Sequence, residues 1–212
     1  AAGSAKNSAG NLDFAATRLH SNGALDTSFN LDGLATISIG THHDAASSVK
    51  IQGITGKIIL AGYSYNSVTS NNFALVKLDT NGLVDFGFGS AGKVTIDTGS
   101  NDSIKSIALS GSNIVAAGSQ TNSSTGIDFS LARLNSNTGI LDTTFDGDGK
   151  VQTAFGAYSD IAFSIAVQAD GRLVTAGYGR GGGDTSYNFA LSRYNTNGSL
   201  DATFDVDGRQ TT

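Results

Sequence analysis

Cysteine, methionine, tryptophan, proline and glutamate are all missing from this chain of 212 residues. Without Cys there is no disulfide, no thiolate nucleophile and no zinc–thiolate centre. Without Glu an EF-hand loop lacks its closing bidentate ligand. Average usage would supply about ten prolines in a chain of this length. Charge is also scarce: charged residues make up 15% of the chain and the net charge is -5. That excludes the clustered Lys and Arg of a nucleic-acid footprint. No apolar run reaches the roughly 18 residues of a spanning helix, so no membrane insertion is expected. With no Met at the start and no leader-like segment, the chain is expected to be a processed product or part of something longer. What is abundant is Gly, Ser, Thr and Asn, which suits a β-rich bacterial surface or secreted protein.

The chain repeats itself. Phe14 recurs as Phe73, Phe129 and Phe189, at intervals of 59, 56 and 60 residues. Four positions after each stands a basic residue: Arg18, Lys77, Arg133 and Arg193. Gly23, Gly82, Gly139 and Gly198 follow, then Asp26, Asp85, Asp142 and Asp201. Phe29, Phe88, Phe145 and Phe204 come next, and Gly33, Gly92, Gly149 and Gly208 close the motif. An upstream half, such as "SIKSIALSGSNIVAAGSQ" from Ser103, precedes the motif in three units, whereas the first retains only "AAGS". The units run 1–44 (partial), 45–102, 103–160 and 161–212, within one repeat domain.

Each complete unit holds short alternating or apolar runs bounded by turn residues, the pattern of strands. Asn-Gly at Asn22, Asn81 and Asn197 favours tight reversal, because both residues tolerate positive φ. No window has a helical period. Four short strands per unit, repeated at nearly 60 residues, predict an all-β fold of β-propeller type built from four-stranded blades. A β-solenoid is the structural rival. Three complete units and one partial unit leave sheet edges exposed, so a fragment of a larger propeller or assembly is expected.

The pattern "FALxRxNxNGxLDxTF…DGKVxT" followed by "AxSIAVQxDGRLVxAGY" resembles the delta-60 repeat of large bacterial surface and secreted proteins. The resemblance covers essentially the whole chain and is weakest in the second unit, where "VDFGFGSAG" replaces "LDTTFDGDG". It implies a β-propeller-like fold and an extracellular or cell-surface setting, and it carries no catalytic residues.

Several constellations invite chemistry. The basic residue and Asp of each unit recur four times, so they read as structural: either a pair across the hairpin, or an Asp bonding the amides of its own turn. Asp146 and Asp148 in "DGDG", with Asp205 and Asp207 in "DVDG", are the weak candidates for calcium; turn chemistry is the expected role. No two carboxyls mark a glycosidase pair. His20, His42 and His43 do not recur and read as loop histidines. "GRGGGD" from Gly179 lacks the Gly-Lys-Ser/Thr ending of a phosphate loop and reads as a flexible loop.

The segments before each anchor Phe differ most between units. Equivalent loops of a propeller emerge on one side, which makes a binding surface. Its anchors are expected to be Tyr63, Tyr65, Tyr178, Arg180 and Tyr187, since aromatic and Arg side chains dominate hot spots. The expected function is a non-enzymatic structural or binding module, adhesive in character, with a protein or glycan ligand and no cofactor. The alternatives are a self-assembling subunit that binds copies of itself, and a calcium-dependent lectin or carbohydrate-active enzyme.

Overall fold

A computed structural model describes residues 1–180 and 186–212. Its described residues form fifteen strands and no helix. β1 (Ala2–Lys6), β2 (Leu12–Thr17) and β3 (Leu34–Ile37) make a three-stranded sheet. β4 (Asp44–Ile51), β5 (Ile58–Asn66), β6 (Ser70–Leu78) and β7 (Lys93–Ile96) make the next. β8 (Ser100–Ser110), β9 (Asn113–Asn122), β10 (Gly126–Asn135) and β11 (Lys150–Thr153) form the third. β12 (Ile161–Val167), β13 (Leu173–Gly179), β14 (Asn188–Tyr194) and β15 (Arg209–Thr211) form the fourth. Every sheet is an antiparallel meander in chain order; its last two strands are joined by a longer connection, residues 18–33, 79–92, 136–149 and 195–208, that carries the recurrent Gly, Asp and Phe. The all-β blade expectation is met, and the first sheet lacks the counterpart of β4, β8 and β12.

In each four-stranded sheet the first strand carries a bulge, at Ala46/Ser48, Ile104/Ser106 and Ala162/Ser164. Gly62, Gly118 and Gly177 lie opposite. The bulge pushes a carbonyl of the first strand over these glycines, so that a Cβ on any of them would sit 1.9 Å from it. Gly3 is their equivalent in the first sheet, where that strand is missing, and nothing lies within 4 Å of its Cβ position.

Successive side chains face opposite neighbours, so β6, β9 and β10, covered on both faces, are buried along nearly their whole length, whereas burial alternates along β3 and β14. Three buried apolar clusters result among the described residues, each spanning two successive sheets: first and second, second and third, third and fourth. None joins the fourth sheet to the first. The anchors Phe14, Phe73 and Phe129 are fully buried in these seams. Phe189, in the same motif, is 80% exposed, because no sheet of the described residues packs on that face. The recurrent anchor Phe is thus a core residue in three units and exposed in the fourth.

Candidate functional site

The recurrent charges meet in every unit. Arg18 Nε lies 2.7 Å from Asp26 Oδ2, Arg133 Nε 2.8 Å from Asp142 Oδ2 and Arg193 Nε 2.7 Å from Asp201 Oδ2. In the second unit Lys77 Nζ stands 3.7 Å from Asp85, and Lys57 Nζ takes the closer place at 2.8 Å. The other carboxylate oxygen works within its own turn. Oδ1 of Asp26, Asp142 and Asp201 accepts the amides of Ser28, Thr144 and Thr203 at 3.0 Å each. Asp85 Oδ1 accepts the Gly87 amide at 3.3 Å. Both readings of the Asp are thus true at once, one for each oxygen.

The pair also ties each unit to the next. Arg18 donates through Nη1 to the Thr80 carbonyl, and Arg133 to that of Thr196. Lys77 Nζ donates to the Ser136 carbonyl at 2.6 Å. Beside these, Asn30 donates its amide to the Asn81 carbonyl, Gly89 to Thr138 and Asp146 to Asn197, at 2.7, 2.8 and 2.7 Å. Phe29, Phe88 and Phe145 lie under the cations, 5.0, 5.7 and 4.5 Å from ring centre to charge. A Cβ on Gly82, Gly139 or Gly198 of the following unit would fall 2.7, 3.1 or 3.0 Å from those rings. The glycine of each reversal therefore serves both the turn, with φ of +85°, +72° and +93°, and the ring packed on it.

The "DGDG" stretch is part of this latch. Asn30, Gly89, Asp146 and Asp205 share a left-handed conformation, with φ between 45° and 58°. Asn, Asp and Gly are the residues that accept it most readily. Asp32, Asp148 and Asp207 each turn Oδ1 to the amide two residues on, at 2.8, 2.8 and 2.9 Å. The calcium candidates thus have turn roles that recur. No group of three or more His or Asp that could hold a metal occurs among the described residues. Replacing Asp142 by Ala should cost about 1.5–3 kcal/mol through lost charge-assisted bonds. Asp148→Ala should stay within about 0.5 kcal/mol. Urea denaturation of both variants checks this, and equal losses would refute the ranking.

Sequence reasoning missed a second carboxylate set. Asp44, Asp102 and Asp160 stand at or near the head of the first strand of each four-stranded sheet and are fully buried. Oδ2 accepts the amide of Ile39, Thr98 or Phe155 respectively, at 2.8 Å each, closing the loop that enters the blade. Their common place, directly before each upstream half of the motif, was the available signal. Burial pushes Asp102 and Asp160 up. The latch carboxyls go the other way. Asp26 is drawn from 3.8 to about 2, first by the Ser28 hydroxyl, with the Ser28 amide and Arg18 adding to it. Asp142 and Asp201 are lowered, led by Thr144 and Thr203, and Asp85 is lowered, led by Lys57.

The signs predict an acid profile. A lowered carboxyl stabilises the fold above its unfolded value, and that contribution is lost as pH falls through its folded value. A raised one does the reverse, and its protonation relieves the fold at higher pH. Stability should therefore hold or rise as pH falls toward 3.8, then drop as it approaches about 2, the range set by Asp26. Denaturant titrations across this range test it, and a loss complete above 3.8 would contradict the assignment.

The five loop anchors do not converge. Tyr178 and Tyr187 meet with ring centres 4.8 Å apart, and Phe163 joins them at 5.6 Å from Tyr178. Arg180 lies 3.6 Å over the Tyr158 ring, and its amide bonds Asp160. Tyr65 is exposed in the second unit, edge-on to His42 at 5.4 Å, and Tyr63 is half-buried beside it in the same strand. His43 Nδ1 accepts the Leu12 amide, and His20 lies 3.8 Å from Asp26. Of the "GRGGGD" loop, Gly181 to Asp184 lie outside the described residues. No helix of the described residues is long and apolar enough to cross a membrane.

The family described as a β-propeller domain of unknown function (DUF5122) matches residues 1–29, 55–88, 113–145 and 168–204, more than half the chain. Each matched segment holds one copy of the basic residue, the Asp and the reversal glycine. No curated protein matches.

Proposed function

This chain belongs to the DUF5122 β-propeller family, and from that premise we propose a non-enzymatic scaffold that presents variable loops to a protein or glycan ligand. The setting we propose is extracellular, on a bacterial surface or in a secreted protein, and the role adhesive. One observation carries the reading: the charges that recur in each unit are taken up by the latches, while the loops before each anchor Phe differ in every unit. A constant frame with variable loops is the arrangement in which binding residues sit on segments positioned by a rigid scaffold. The likeness of the repeat motif to the delta-60 pattern supports the surface setting. No cofactor enters this reading.

The test is a glycan array and a displayed-peptide library, probed with the chain and with Tyr65→Ser and Arg180→Ser. Capture that either substitution weakens about tenfold or more, at unchanged melting temperature, supports a loop-borne site. Capture indifferent to both loops and to further loop exchanges refutes it. Loss of capture on adding EDTA would favour a calcium-dependent lectin, and release of reducing sugar from the array would favour a carbohydrate-active enzyme.

A further inference from the structure

The second and third units build the same polar corner differently. Near the tip of the β9–β10 hairpin, Gln120 Nε2 donates to Gln152 Oε1 at 2.9 Å, and Asn122 Nδ2 donates to the same oxygen at 3.2 Å. Gln120 Oε1 accepts the Ser130 hydroxyl at 2.9 Å, and Gln152 Nε2 donates to Asp128. Two carboxamides thus plug the corner of the third unit. Strand register puts Ser64, Asn66, Asn72 and Thr95 in the places of Gln120, Asn122, Asp128 and Gln152. Both glutamines are therefore short side chains in the second unit, and the corner stands open.

The opening is a pocket of about 340 Å³, within the roughly 300–1,000 Å³ of small-ligand sites, and all four of these residues line it. Ser64 is only 5% exposed, yet its hydroxyl bonds nothing among the described residues. The Thr95 hydroxyl and the His42 ring nitrogens, in the same lining, make no hydrogen bond either. Asn66 engages only Oδ1, on the Val68 amide, and Asn72 gives one amide hydrogen to Thr69. Tyr65, 40% exposed, also lines the pocket, with the His42 ring edge-on to it at 5.4 Å. No Lys, Arg or Asp is in the lining, and Asp44, the cross-strand partner of Ser64, would repel an anion.

We propose that this pocket binds a neutral sugar residue of a glycan. Sugar hydroxyls both donate and accept, so they match the Ser64 and Thr95 hydroxyls and the Asn66 and Asn72 amides, in the place that two carboxamides fill in the third unit. The apolar C–H face of the sugar ring would rest on the Tyr65 ring. A peptide backbone fits less well, because β5 and β6 are each paired on both sides and leave it no strand edge to extend. The inference rests on the loop-borne binding proposed above and narrows it to one pocket and one ligand class.

Chemical-shift titration of the isotope-labelled chain with the methyl glycosides of glucose, galactose, mannose and N-acetylglucosamine tests it. At least one should bind with a Kd of about 1 mM, the range open to a single sugar ring, and shift the Gly40 and Thr41 amides in the lining. The double variant Ser64→Gln/Thr95→Gln should rebuild the plug of the third unit and weaken that binding about tenfold or more. Both substitutions bring in residues that the third unit already holds at the same register, so the variant should melt as the unaltered chain does; circular dichroism checks this. Gly40→Ala is the second variant: its methyl would lie 3.6 Å from Ser64 Oγ, an ordinary contact, and should weaken the sugar several-fold. Failure of every glycoside to bind would overturn the proposal, as would binding unchanged in both variants or equal binding of methyl glucuronide. So would the same amides shifting with N-acetylglutamine amide and with no sugar, which would make the occupant a peptide side chain. Glycan capture that survives the double variant and is lost with Arg180→Ser would overturn this site while the loop-borne reading stands.

Discussion

Gly118→Ala is expected to cost about 3 kcal/mol or more, at the upper end of what overpacking does. The added methyl would meet the Ser103 carbonyl at 1.9 Å and the Ile104 Cα at 2.9 Å. Both are backbone atoms of a bulged strand paired on the other side of the glycine, so no side-chain rotation relieves the clash. Relief requires breaking the β8–β9 ladder where it crosses from Gly118 to Ala117. Gly62→Ala and Gly177→Ala should behave alike, given the same 1.9 Å approach. Gly3→Ala is the internal control. It sits at the same place in the motif with open space around it, and should change stability by no more than about 0.5 kcal/mol. Chemical denaturation of the four variants decides the matter. A Gly118→Ala variant as stable as the Gly3→Ala variant would show that the bulge is not rigid.

Phe145→Ala is expected to cost about 3–5 kcal/mol, the range for deleting a buried ring. The side chain is fully buried between the third and fourth sheets, under Arg133 and against Gly198. Its loss would leave a cavity in the seam and remove the surface on which the Asn197-Gly198 turn rests. Two backbone turns frame that cavity, so collapse to fill it is limited. Phe204→Ala makes the same chemical change at the end of the array, where the ring is half-buried. It should cost less than half as much. Equal costs would mean that the ring stabilises its own turn and not the seam.

Much of this was legible in residue spacing. The recurrence of Phe, Arg or Lys, Gly and Asp marks the units, and Asn-Gly marks the reversals, because turn chemistry and strand alternation depend on neighbours a few residues apart. The pairing of Arg133 with Asp142 was within reach for the same reason, since one hairpin connects them. Asp44, Asp102 and Asp160 were harder: nothing in an isolated Asp before a strand says that it will be buried and capped by amides. The reach of Arg133 to Thr196, 63 positions on, was not legible at all. Nor was the double use of Gly198, whose φ a turn predicts and whose contact with Phe145 it does not.

By itself the sequence determined the period, the strands, the turns and the membership of each residue in a repeated motif. Tertiary structure alone decided what each copy of the motif does. Phe129 and Phe189 occupy one position in one motif, and the first is fully buried while the second is 80% exposed. Gly118 is pressed against a backbone carbonyl and Gly3 faces open space. The difference is whether a sheet or strand lies alongside, and burial depends on that neighbour and not on the residue's own segment.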